Sequence, residues 1–79
     1  MHKPNDYLVN EEVFINGSMY VIGCRPEACP EAGNVSCIAV REDGKEVFLL
    51  YKLLDLSDPE AYDIENPLEI TDLDTYEVL

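Results

Sequence analysis

The sequence predicts an all-β domain: an antiparallel meander of four or five strands built from two hairpins, with one short helix in an acidic C-terminal third. Three observations carry that expectation. Asn16-Gly17 and Asp43-Gly44 each separate two runs of β-prone residues, two prolines break the chain between those hairpins, and the composition changes after Leu54.

Residues 1–10 hold Pro4, Asn5, Asp6 and Asn10 with little periodicity, and read as a lead-in whose Tyr7-Leu8-Val9 makes an edge strand. Val13-Phe14-Ile15 and Ser18-Met19-Tyr20-Val21-Ile22 then flank Asn16-Gly17. Both turn residues tolerate positive φ, as a type I′ turn requires, so Ile15 should face Ser18, Phe14 face Met19 and Val13 face Tyr20. The stretch Arg25 to Asn34, with Pro26, Pro30 and Gly33-Asn34, reads as a loop without a ladder.

The second hairpin runs Ser36 to Arg41, turns at Asp43-Gly44, and returns through Glu46 to Tyr51. A two-residue turn sets Arg41 against Glu46, Val40 against Val47, Ala39 against Phe48 and Ile38 against Leu49. In that register both faces carry apolar side chains and both need cover. A sheet curled into a small SH3-like barrel, the C-terminal tail or a second subunit would each supply it.

Ser57-Asp58-Pro59-Glu60 has the spacing of a capping box and predicts a short helix near 58–63, ended by Asn66-Pro67. Leu68 and Ile70 alternate with Glu69 and Thr71 as in a half-exposed strand, and Val78-Leu79 offers a last apolar contact. The whole reads as one domain over 1–79: a lead-in over 1–10, a two-hairpin body over 12–54 and an acidic segment over 55–79. A chain of 79 residues has room for one core, at a size where about 60% of the unfolded surface is buried.

Charge carries most of the functional information. Seventeen acids stand against five Lys and Arg, for a net charge of −12. Such a surface repels nucleic acid and anionic membrane, which are bound through Lys and Arg. Nine of the acids, Asp55, Asp58, Glu60, Asp63, Glu65, Glu69, Asp72, Asp74 and Glu77, follow the last basic residue, Lys52. Charges in series solubilise a surface, or else form a docking face for a basic partner.

The function expected is therefore a non-enzymatic interaction module that binds a basic macromolecular surface, with Asp58, Glu60, Asp63, Glu65, Asp72 and Asp74 as its contact residues and Tyr62 and Tyr76 beside them. In its specific form the carboxylates imitate the phosphates of DNA and inhibit a nucleic-acid enzyme such as a nuclease. One alternative is a structural dimer joined through the second hairpin. Another is a metal or redox module using Cys24, Cys29 and Cys37 with His2, against which the spacing speaks, since no second close pair of ligands exists.

No catalytic or cofactor motif is expected, because the only histidine, His2, is far from Cys29 and a chain this short has little interior for a desolvated site. The first residues lack the basic and apolar regions of an export signal, no apolar run reaches membrane-spanning length, and three cysteines are an odd count for a disulfide framework, so a cytoplasmic location is expected.

Overall fold

The computed structural model describes residues 10–79, so the strand expected at Tyr7-Leu8-Val9, and His2, lie outside it. Six strands form one antiparallel sheet: β1 (Glu12–Ile15), β2 (Ser18–Ile22), β3 (Glu27–Cys29), β4 (Asn34–Arg41), β5 (Glu46–Lys52) and β6 (Glu69–Asp72). Its neighbours run β1-β2-β4-β5-β6, the expected meander, and β3 pairs with β4 on the same side as β2. The expected barrel does not form among the described residues: β1 and β6 do not pair, and the sheet they edge stays open. Among the described residues no helix is long and apolar enough to cross a membrane.

The first hairpin has the predicted register, Ile15 on Ser18, Phe14 on Met19 and Val13 on Tyr20. Asn16 at φ 51° and Gly17 at φ 83° supply the two left-handed residues of the turn.

The second hairpin is shifted by one residue from the sequence reading. Val40 pairs with Glu46, Ala39 with Val47, Ile38 with Phe48 and Cys37 with Leu49. The cause is a loop of three residues instead of two. Gly44 N–H donates to Arg41 C=O at 2.8 Å, closing a turn through Glu42 and Asp43, and Gly44 itself sits at φ 89°. Asp43 braces this shape, accepting from both Arg41 Nε (3.0 Å) and Arg41 Nη2 (2.7 Å) and from the Lys45 N–H (3.1 Å).

A slip of one residue exchanges the faces of a strand relative to its partner. In the observed register the alternation is clean: Val35, Cys37, Ala39, Val47, Leu49 and Tyr51 are buried, while the residues between them are exposed or half-buried. Val13, Ile15, Tyr20, Ile22 and Ile70 join them on the inner face. Leu53, Tyr62 and Ile64, from the segment after β5, pack over this face and complete the core.

The stretch from Arg25 to Asn34, expected as a loop, contains β3. Its prolines flank the strand instead of interrupting it, so Glu27, Ala28 and Cys29 pair with Ser36, Val35 and Asn34. Ile22 pairs with Ala39 and Glu27 with Ser36, so four residues, Gly23 to Pro26, stand opposite two, Cys37 and Ile38. This is an irregular, enlarged bulge between β2 and β3 along one edge of β4.

The helix expected near 58–63 does not form. Ser57, which would cap it, donates its hydroxyl to Asp55 Oδ1 at 2.7 Å, and Asp58 Oδ1 accepts the Glu60 N–H at 3.0 Å. Short Asp side chains here satisfy the backbone in turns, which removes the incentive to wind a helix. The strand expected at Leu68–Thr71 is present as β6. Val78 and Leu79 are exposed and attach through the backbone, Val78 bridging Thr71 and Leu79 N–H donating to Ile70 C=O at 2.7 Å.

Candidate functional site

The eight residues expected at a docking face fall into three places. Asp58, Glu60, Asp63 and Glu65 are exposed along the segment between β5 and β6. That segment is anchored. Leu54 N–H donates to Ala61 C=O at 2.6 Å, the Tyr51 hydroxyl donates to Ile64 C=O at 2.8 Å, and the Tyr62 ring lies 5.1 Å from the Tyr51 ring at a 45° tilt. Asp63 adds a local brace, accepting from the Asn66 amide at 2.7 Å and the Glu65 N–H at 3.3 Å.

Tyr62 is thus part of the core's cover, its hydroxyl buried without a hydrogen-bond partner among the described residues and its phenol pushed up to about 12 by burial. Asp72 is 4% exposed and lies 2.6 Å from Lys45 Nζ, so a docking face that included it would first have to break that pair. The Lys45 ammonium holds the Asp72 carboxyl below its usual range, and Asp72 in turn raises Lys45.

Asp74 and Tyr76 are exposed in the turn after β6, where Asp74 N–H donates to Asp72 Oδ1 at 2.8 Å and Tyr76 adopts φ 61°. β6 runs antiparallel to β5, Leu50 facing Glu69 and Val47 facing Asp72, so this turn lies at the Lys45 end of the sheet and the Asp58–Glu65 group at the Lys52 end. Four of the six acids therefore lie on one anchored segment, and the other two lie at the opposite end of the sheet.

The three cysteines are all thiols. Cys37 is in the core, where burial pushes its thiol up to about 12; Cys24 is half-buried, its Sγ accepting the Ile38 N–H at 3.2 Å; and Cys29 is exposed at the end of β3. A thiol held protonated is a poor ligand and a poor nucleophile. Among the described residues no three His, Cys, Asp or Glu side chains are grouped as metal ligands.

The sequence reading missed a second acidic feature, on the outer face of the sheet. Register pairs run across neighbouring strands in rows. One row reads Glu12, Val21, Val40, Glu46, and another reads Glu27, Ser36, Leu50, Glu69. Between them lie Ile38 and Phe48. Each row is apolar or small in the middle and ends on a glutamate at both sides. Beside Ile38 and Phe48 the bulge opens a cleft of about 370 Å³, with Cys24, Arg25 and Glu27 on its far wall. Only the corrected register of the second hairpin reveals this arrangement, since the two-residue turn would have placed Leu49 on the same face as Ile38.

Comparison with family models, curated proteins and solved structures finds no match to this chain.

Proposed function

We propose that this protein is a non-enzymatic interaction module that docks on a basic macromolecular surface through Asp58, Glu60, Asp63 and Glu65. The observation that carries the reading is the anchoring of the segment that bears them: its backbone is tied by Leu54–Ala61 and Tyr51–Ile64 hydrogen bonds, and Tyr62 and Ile64 are packed on the core. Carboxylates held at fixed positions repel one another, and a cationic counterpart relieves that repulsion without first having to order the chain. The phosphate-imitating form is the narrower version, in which the counterpart is the nucleic-acid channel of another protein.

The test is a titration with an oligolysine peptide, which has charge and no apolar side chain. Binding should weaken roughly tenfold between low and high salt. The variant Asp58→Asn, Glu60→Gln, Asp63→Asn, Glu65→Gln keeps the oxygen acceptors that brace the turns and should lose most of that binding. Undiminished binding by this variant would refute the assignment. For the narrower version, the protein should compete with duplex DNA for a DNA-binding protein.

A further inference from the structure

The outer face of the sheet is a different surface from the Asp58–Glu65 segment, because Tyr62 and Ile64 lie against the inner face. It is also unusual for a solvent face. Val21 is 36% exposed, Ile38 39% and Val40 37%, with Phe48 and Leu50 half-buried among them. Four strands at about 4.8 Å make such a row span roughly 14 Å, so the patch covers a few hundred Å², a size at which exposed apolar patches mark binding sites.

What covers it is indicated by its frame. Glu12 and Glu46 close one row, Glu27 and Glu69 the other, and all four side chains are exposed. Arg25 and Lys52 stand at the β3 end, so among the described residues the four glutamates of the frame outnumber the cations beside it. A second copy of the chain fits poorly, since it would bring the same frame against itself with −12 on each side. The complementary occupant has the opposite design: an apolar centre with Lys or Arg on either side. The cleft at the bulge offers its central side chain a seat. At about 370 Å³, walled by Ile38 and Phe48, it lies within the range of about 300–1,000 Å³ typical of ligand pockets.

We infer that the outer face of the sheet is a docking surface for a short protein segment with an apolar core and basic flanks, its central large residue seated in the cleft between Cys24–Arg25 and Phe48. The apolar rows supply contact area and the four glutamates fix orientation and reject acidic competitors.

A synthetic peptide with Leu-Phe-Leu at its centre and lysines on both sides is the probe, followed by NMR shifts of the protein's amides and methyls. The inference expects shifts at Val21, Ile38, Val40, Phe48 and Leu50. Replacing the lysines by glutamates should abolish them, and replacing Leu-Phe-Leu by Gly-Ser-Gly should weaken binding roughly tenfold. Ile38→Ser should do the same, and the charge variant Glu12→Gln, Glu46→Gln, which leaves the apolar packing alone, should weaken binding of the lysine peptide severalfold; undiminished binding by both variants would overturn the inference.

Four further outcomes overturn the inference: no binding, equal binding of all lysine peptides, shifts confined to residues 55–65, or a concentration-dependent self-association that broadens these same methyls. Shifts confined to residues 55–65 would leave the reading of the Asp58–Glu65 segment standing, so the two surfaces are judged separately.

Discussion

Lys45 Nζ lies 2.6 Å from Asp72 Oδ2, with the carboxylate side chain only 5% exposed. The pair joins the turn of the second hairpin to the end of β6, two parts of the chain separated by 27 positions. Asp72 sits on the inner side of β6 like Ile70, where an isolated carboxylate would be costly.

The hydrogen bond from Lys45 holds the Asp72 carboxyl below its ordinary 3.8. A group whose folded value is depressed stabilises the fold fully above its unfolded value and loses that contribution as pH falls through the folded one. Asp72→Asn should therefore lower the thermal midpoint at neutral pH, and the gap between wild type and variant should close below pH 3.8. Comparing the two proteins cancels the relief of repulsion among the exposed acids, which both share. A gap that persists unchanged into acid would show that the charge of Asp72 contributes nothing.

Gly44 at φ 89° is required by the three-residue turn. A Cβ there meets nothing within 4 Å, so the cost of Gly44→Ala is purely conformational, about 1–3 kcal/mol. Gly44→Asn should cost less, because Asn enters the left-handed region more readily. Denaturant midpoints measure both. Equal midpoints for wild type and Gly44→Ala would count against this turn.

Leu49 is fully buried on the inner face, and Ile38 is exposed on the outer one. Leu49→Ala should cost about 2–5 kcal/mol, whereas Ile38→Ala should cost well under half of that. Similar losses at both positions would mean that they share a face.

The two tyrosines in ring contact make opposite predictions. Tyr51→Phe deprives the half-buried Ile64 carbonyl of its donor at 2.8 Å and should destabilise by about 1–2 kcal/mol. Tyr62→Phe removes a buried hydroxyl that has no hydrogen-bond partner among the described residues, and should be neutral or stabilising. Chemical unfolding of the two variants distinguishes these outcomes.

The first hairpin was legible residue by residue because Asn16 and Gly17 together admit one short turn of the right twist. Asp43-Gly44 is ambiguous in a way Asn-Gly is not. It serves a two-residue turn, and it also serves the last two places of a three-residue loop, which here is selected by the Arg41–Asp43 pairing and by Gly44 taking the left-handed position. β3 escaped notice because prolines beside a strand and prolines within one look alike in sequence. The burial of Asp72 depends on Lys45, a contact that no local pattern encodes. For the same reason the glutamate frame was invisible: Glu12, Glu27, Glu46 and Glu69 are scattered along the chain, and only the pairing of six strands lines them up.

The placement of Ile38, Val40 and Phe48 outside and of Ala39, Val47 and Leu49 inside depends on the register of β4 against β5, and α-proton NOEs across that hairpin measure it most directly. Arg41 and Lys45 occupy a hydrogen-bonded site, so Val40–Glu46 and Ile38–Phe48 are the close pairs that should give strong α-proton contacts. Strong contacts between Arg41 and Glu46 and between Ala39 and Phe48 would contradict the account, restoring the two-residue turn and dissolving the framed outer face.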